Sequence, residues 1–267
     1  MKRNSLKIGF YFPRLLSSVK NKKEIVDLII SAMRSSGDIK YAGYLSESVW
    51  HRDLLRHIGK GDILPKKAFT KKQRDIIKKN ISVTVGRCSR VLSHPTPPIF
   101  VFIYPWFPTK SDSILFGGSM AFAAYRTIHL FVDLDSYTQT SLKQTIAHEW
   151  NHLVFYRHHP KRRYALRDHM VMEGLAEVFR EEIMGGKPAP WAVALSQKEV
   201  DEQLKKLQGK LNSTNMRFYR SIFFGDEEYK RWTGYSVGYR IIKGFRRKNK
   251  KLSWEEVVKI DPKNIFQ

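Results

Sequence analysis

Residues 145–153 read TIAHEWNHL, the most informative stretch of the sequence. It lies within a predicted helix, residues 140–157, on which His148 and His152 project from one face, one turn apart. Two imidazoles placed in this way can bind one ion at ~2.0–2.1 Å. Glu149 lies beside such an ion and can take a proton from a water molecule that the ion activates. The pattern therefore predicts a catalytic zinc site.

The motif alone leaves an alternative open, because a His–Glu–His cluster can also lie on an ordinary solvated helix face. A catalytic zinc site needs a third protein ligand and one open position. Glu173 and Glu177 lie one turn apart on the next predicted helix, residues 168–184, and Gly174 allows that helix to approach closely. Glu173 can then be the third ligand, while Glu177 can accept a hydrogen bond from the outer nitrogen of a ligand histidine. A plain acidic stripe is the alternative.

Together the two motifs resemble those of the gluzincin zinc metallopeptidases, in which HExxH is followed by a second motif, ExxxE. The resemblance is closer to the YjaZ-like family of predicted zinc-dependent proteases. It is carried by EGLAE at residues 173–177, by a glycine-rich loop before a strand of small residues, and by GYSVGY at residues 234–239. It covers about residues 70–265. It implies one Zn²⁺ ion with Glu173 as a ligand, and Glu177 stands where Asp is commoner.

The resemblance also implies a substrate groove. In gluzincins the corresponding segment is the edge strand of the sheet, to which an extended peptide adds as a further strand. The matching residues here are Gly118, Ser119, Met120, Ala121 and Phe122. Small residues suit the close approach of a second backbone. The alternative is a flexible loop followed by a weak interior strand.

A hydrogen-bond donor for the oxyanion is expected from the segment at residues 234–239. Tyr235 is the candidate, because its place resembles that of the oxyanion tyrosine in gluzincin aminopeptidases, and Tyr239 is the runner-up on the same face. Both could instead be packed aromatic residues. His129 and His169 are expected to be surface or hydrogen-bonded histidines rather than ligands.

The order of the predicted elements indicates an α+β fold, because strands come first and helices follow. We expect a zincin-like arrangement, with a small mixed sheet, an edge substrate strand and the active-site helix in an upper lobe, over a mostly helical lower lobe. The predicted strands are 99–104, 120–125 and 127–134; the predicted helices are 20–35, 70–92, 140–157, 168–184, 196–211, 232–246 and 253–259; and 105–118 is expected to be a loop.

The expected domain limits follow from the same pattern. Residues 1–65 are predicted to be an N-terminal helical extension, and residues 66–267 a zincin-like metallopeptidase domain. Its upper lobe is expected to cover about residues 70–158 and its lower lobe about 159–267.

The chain is strongly basic. Its 267 residues contain 48 Lys and Arg against 25 Asp and Glu, which gives a net charge of +23. This excess favours acidic partners such as nucleic acid or an anionic surface, or simply a solubilising surface. A second hypothesis is therefore a basic binding protein whose zinc site is structural or vestigial, and a third is an inactive peptidase acting as an interaction module. Glu149 argues against the second, because a structural site has no use for it.

The cysteine count and the apolar runs set further limits. Cys88 is the only cysteine, so a disulfide within the chain and a cysteine-based zinc site are both excluded. No apolar run approaches the ~18 residues of a membrane span. The run at residues 8–12 is too short for a secretory signal, so we expect a cytoplasmic protein. The leading hypothesis is a zinc-dependent peptidase that acts on peptides or proteins, with Glu149 as general base.

Overall fold

A computed structural model of the protein describes residues 8–11, 21–36, 51, 68–94, 98–105, 110–124, 126–160 and 163–266. The strands are β1 (Ile8–Tyr11), β2 (Ile99–Tyr104), β3 (Ser119–Ala123) and β4 (Thr127–Val132). The helices are α1 (Lys22–Ser36), α2 (Lys71–Val91), α3 (Lys110–Leu115), α4 (Gln139–His158), α5 (Leu166–Met184), α6 (Gln197–Leu207), α7 (Met216–Phe224), α8 (Thr233–Lys248), α9 (Trp254–Val257) and α10 (Pro262–Ile265), with 3₁₀ turns at Pro190–Val193 and Gln208–Lys210.

The strands form one mixed sheet in the order β1-β2-β4-β3. β1 and β4 are both parallel to β2, whereas β3 runs antiparallel to β4. Among the described strands, β3 therefore has a neighbour on one side only. The expected α+β class and the mixed character of the sheet are confirmed.

Both faces of the central strands are buried, because helices cover the sheet on each side. Ile99, Val101 and Ile103 of β2 point into a core shared with α2 and α4. The alternate residues Phe102 and Tyr104 point into a second core shared with α1. Continuous apolar runs of this kind are typical of strands that are covered on both faces.

Residues 8–11, near the start of the chain, join this sheet. The expectation of a helical extension is wrong for residues 8–11, which form β1 and pair with β2 from Ile8 opposite Ile99 onward. α1 is the helix that was expected, and it packs against the sheet through Ile25, Val26 and Ile29. The proposed limit at residue 65 stays a prediction, since residues 52–67 lie outside the described part of the chain.

Three of the described helices appear where none was expected, namely α3, α7 and the four-residue α10. α3 occupies part of the expected loop at 105–118, and its six residues are too few to show a helical period. α7 has nine residues and is rich in aromatic residues, which are weak helix formers. Its start is stabilised by Asn215, whose side chain accepts hydrogen bonds from the backbone N–H groups of Arg217 and Phe218.

Two glycines let α5 and α8 cross with their backbones in contact. A Cβ at Gly238 would lie 2.0 Å from the carbonyl oxygen of Met170, and a Cβ at Gly174 would lie 2.3 Å from that of Gly238. A side chain at either position would force the helices apart. This crossing brings the second turn of α8 against the first half of α5.

None of the described helices combines the length and the apolar character needed to cross a bilayer.

Candidate metal centre

Hydrogen bonds hold α4 alongside the edge strand. The helix begins after Thr138, whose side chain accepts a hydrogen bond from the N–H of Ser141. The Ser141 hydroxyl also donates to the carbonyl of Gly117. One turn later the hydroxyl of Thr145 donates to the carbonyl of Ser119, at 3.2 Å. The start of β3 therefore has a defined position relative to the helix that carries the HExxH residues.

The two histidines of α4 converge on one carboxylate oxygen of α5. Nε2 of His148 lies 3.3 Å from Oε2 of Glu173, and Nε2 of His152 lies 3.5 Å from the same oxygen. The two imidazole planes are nearly perpendicular, at 86°, with centroids 4.7 Å apart. One imidazole nitrogen from each histidine of α4 therefore lies close to the same carboxylate oxygen of α5.

These distances fit a tetrahedral zinc ion. At a metal–ligand distance of ~2.0–2.1 Å, neighbouring ligands of a tetrahedral site stand about 3.3–3.4 Å apart. The measured 3.3 and 3.5 Å agree with that spacing. A His₂Glu set also leaves one coordination position open, as in catalytic zinc sites.

Glu149 lies at the same centre but differs from Glu173. Its carboxylate comes within 4.8 Å of the ligand nitrogens of both histidines. It is 5% exposed, and among the described residues its Oε2 has no hydrogen-bond partner. Burial raises the pKa of this carboxyl, while the histidines and a backbone hydrogen bond from Ala123 act in the other direction. Glu149 thus offers a free oxygen beside the cluster.

Glu177 lies behind His148, on the side away from the cluster. Its Oε2 is 3.5 Å from Nδ1 of His148, at the outer limit of a hydrogen bond. Its other oxygen accepts hydrogen bonds from Arg180 and from the backbone N–H of Ala189. Burial raises the pKa of Glu177, but these contacts outweigh it and hold the pKa below its usual value. A charged, fixed carboxylate therefore faces the outer nitrogen of His148.

The protonation of the cluster follows from its contacts. Burial raises the pKa of Glu173, but the adjacent histidines outweigh that effect and lower it. Burial lowers the pKa of His148, but hydrogen bonds with Glu173 and Glu177 outweigh it and raise the pKa to about 10. These contacts favour the protonated form of His148 and the ionised form of Glu173.

The two candidate tyrosines have different surroundings. The Tyr239 hydroxyl donates to Oε2 of Glu181 at 2.8 Å, in a cluster that also holds Lys243. The pKa of Tyr235 is raised well above its usual value, first by burial and then by the charges of Glu173 and other groups that include Glu149. Tyr239 is thus bonded to Glu181, whereas Tyr235 packs against Phe223 and has a pKa to which the charge of Glu173 contributes.

The predicted groove residues form the start of β3 and the turn before it. Gly118 has a φ of 75°, and a Cβ there would lie 2.3 Å from the backbone nitrogen of Tyr137. Met120 and Phe122 point toward the α1 side of the sheet, whereas Ala121 points toward the core beneath α4.

The backbone of β3 alternates between its two sides. Asp133 N–H donates to the carbonyl of Gly118, and Ala124 N–H donates to that of Thr127. Even-numbered residues therefore bond to β4, and the backbone groups of Ala121 point to the outer side.

His129 is buried and lies 3.1 Å from the Tyr104 hydroxyl, as expected for a hydrogen-bonded histidine. The sequence did not predict the aromatic side chains that lie beside the site. His169 instead packs between Tyr164 and Tyr219. Tyr156 follows His152 by one helical turn. That spacing could have predicted that the Tyr156 ring lies next to the metal centre.

Comparison with known proteins agrees with the motifs. The family described as "Predicted Zn-dependent protease (DUF2268)" matches residues 77–267. The chain is also 26% identical over 166 residues to the uncharacterized protein YjfC of Bacillus subtilis (strain 168), an alignment that covers 57% of this chain and 53% of that protein. No solved structure matches the chain.

The family match covers well over half of the sequence and includes both motifs and all of α4, α5 and α8. The resemblance expected from the EGLAE and GYSVGY segments is confirmed by it. This chain belongs to the family of predicted zinc-dependent proteases.

Proposed function

We propose that this protein hydrolyses peptide bonds in a zinc-dependent reaction, with Glu149 as the general base. The observation that carries the proposal is the convergence of His148, His152 and Glu173 at 3.3 and 3.5 Å, with a free oxygen of Glu149 beside them. A purely structural site has no use for that oxygen, because its coordination is closed. Family membership supports the same reading.

The metal would be held by His148, His152 and Glu173. When bound, zinc supplies Lewis-acid chemistry that polarises a carbonyl group and makes water more acidic. Glu177 would fix the ring of His148 by accepting its Nδ1 proton, which keeps Nε2 free to bind. His152 has no matching partner for Nδ1 among the described residues.

Glu149 moves the protons in this scheme. It accepts a proton from the attacking water and later delivers it to the amine of the departing peptide. Burial supports this role, because it raises the affinity of the carboxylate for a proton. The hydrogen bond from the Ala123 backbone fixes the carboxylate against the edge strand, where a substrate would lie.

Tyr235 and β3 would position the substrate. The Tyr235 hydroxyl remains protonated, because its pKa is raised, and can donate to the oxygen that becomes negative. The outward N–H and C=O groups of Ala121 can pair with an extended peptide, so the substrate would add to the sheet beyond β3.

The test compares three substitutions in the whole chain. Glu149→Gln should keep zinc and lose cleavage of an unfolded protein, because the amide cannot accept the proton. His148→Ala should lose zinc, because a ligand is missing. Glu202→Gln, which changes an exposed carboxylate on α6, is the matched control and should alter neither. Zinc content is measured by mass spectrometry, and cleavage is measured before chelation and after zinc is restored. Full activity in Glu149→Gln would contradict the mechanism.

A further inference from the structure

Six ring side chains form an unbroken arc beside the metal centre. They come from α4, the segment before α5, and helices α5, α7 and α8. Centroids of successive rings lie 4.4–6.1 Å apart along the whole arc. We call this set the aromatic arc; its members, in order, are Tyr156, Tyr164, His169, Tyr219, Phe223 and Tyr235.

One end of the aromatic arc lies against the candidate metal centre. The ring of Tyr156 lies 6.3 Å from the ring of His152. At the other end, the ring of Tyr235 packs against that of Phe223. The pKa of Tyr235 is raised, first by burial and then by charges that include those of Glu173 and Glu149. The arc therefore borders the place where a scissile bond would lie, and a side chain next to that bond would contact it.

The arc is not simply part of the interior. Phe223 is fully buried and backs the set, whereas the other five rings are partly exposed. The apolar surface continues outward along α7, where Met216 is 46% exposed and Phe224 is 40% exposed. Tyr219 and Tyr235 pack against the core that contains Phe223 but keep part of their surface exposed.

The arc is uncharged, although the chain has a net charge of +23. Tyrosine and phenylalanine are neutral near pH 7. Burial lowers the pKa of His169 to about 4, so this imidazole is neutral as well. A neutral, partly dehydrated wall of rings penalises a charged side chain and favours a flat or bulky apolar one.

We propose that the aromatic arc is the pocket for the side chain of the substrate residue that flanks the scissile bond, and that it selects aromatic or large aliphatic residues. The proposal rests on the peptidase function proposed above. It names a substrate class, namely peptides with a residue such as Phe, Tyr, Leu or Met at one side of the cleaved bond.

The test measures binding separately from cleavage. The probes are amino-acid hydroxamates, which bind zinc directly and differ here in one side chain: Phe, Leu, Ala or Asp. Affinities for the zinc-loaded chain are measured by calorimetry. The Phe probe should bind roughly ten- to a hundredfold more tightly than the Ala probe, because it buries a whole phenyl ring. The Asp probe should bind most weakly.

Substitutions on α7 test whether the aromatic arc causes the preference for the Phe probe. Tyr219→Ala should reduce the ratio of the affinities for the Phe and Ala probes to a few-fold. Tyr219→Phe should keep the wild-type ratio. Phe218→Ala is the matched control, because Phe218 is on the same helix but packs against Tyr229, away from the arc. It should leave the ranking unchanged. The wild-type ranking tests the proposal even if Tyr219→Ala fails to fold.

Three results would count against the proposal in different ways. Equal affinity for the Phe, Ala and Asp probes would overturn the pocket and leave the metal centre standing. A preference that survives in Tyr219→Ala but disappears in Phe218→Ala would overturn the assignment to the arc. No binding of any probe, together with no cleavage, would refute the metal centre and the pocket with it.

Discussion

Glu177 and Glu181 lie one turn apart on α5 but contact different groups. Glu177 faces Nδ1 of His148, whereas Glu181 binds the Tyr239 hydroxyl and Lys243. Glu177→Gln should lower zinc affinity roughly 10- to 100-fold, because the ring of His148 loses a charged acceptor. Glu181→Gln is the matched control and should leave zinc affinity unchanged. Competition with a fluorescent zinc chelator measures both, and equal losses in the two variants would contradict the supporting role of Glu177.

Tyr235 and Tyr239 also lie one turn apart on one helix, α8, and also contact different groups. Tyr235→Phe should lower kcat by about 10²–10³ with little change in KM or zinc content, because only the developing oxyanion loses a donor. Tyr239→Phe should keep kcat and lose about 1 kcal/mol of unfolding free energy, because its bond to Glu181 is removed. Steady-state kinetics and urea unfolding distinguish the two. A larger kcat loss in Tyr239→Phe would reverse the assignment.

At the residue level, the sequence was informative where the spacing is local. His148, Glu149 and His152 lie within five positions on one helix, so helical geometry alone predicts their proximity. The choice between Tyr235 and Tyr239 could not be made in that way, because both lie on one face of α8. The bond between Tyr239 and Glu181 depends on the packing of α5 against α8, and the choice of Tyr235 as donor stays a prediction.

The crossing of α5 and α8 requires glycine at position 238 of α8 but not at position 244. Gly238→Ala should lower the unfolding free energy by about 1–3 kcal/mol and reduce activity, because the added Cβ meets the Met170 carbonyl and displaces Tyr235. Gly244→Ala on the same helix has open space and should stabilise the chain by up to ~1 kcal/mol. Thermal unfolding and kinetics check both. Unchanged activity in a folded Gly238→Ala would show that close crossing is unnecessary.

Elements with a clear period were predicted from the sequence. β2, β4, α4 and α5 all fall within a few residues of their expected bounds. β1 was missed because its four residues are too few to show alternation. The aromatic arc was missed for a different reason. Its members come from five segments, and only tertiary packing brings their rings together.

For the molecule as a whole, metal binding should be coupled to proton release. In the metal-free chain, hydrogen bonds with Glu173 and Glu177 outweigh burial and raise the pKa of His148 from 6.5 to about 10. A histidine that binds zinc must be neutral, so binding at pH 7 should release about one proton. Affinity should therefore rise about tenfold per pH unit between pH 7 and pH 9. Calorimetry in buffers of different ionisation enthalpy counts the protons, and a count of zero would contradict this coupling.

The raised pKa of His148 also determines how the stability of the metal-free chain depends on pH. The pKa of His148 is raised on folding, so its ion pairs contribute fully below pH 6.5. That contribution is lost as the pH rises through about 10. The metal-free protein should lose stability over the range in which zinc binds more tightly.

The parallel pairing of β1 with β2 also has a consequence for the timing of biosynthesis. Ile8 pairs with Ile99, so a ribosome must add roughly ninety residues after the first strand before its neighbour exists. At about 5–20 residues per second, this takes on the order of 5 to 20 s. During that interval the nascent chain carries an apolar segment that cannot yet reach its place in the sheet. A chaperone that covers Ile8–Tyr11 would protect the chain at this stage, and it would have to release the segment once β2 has emerged.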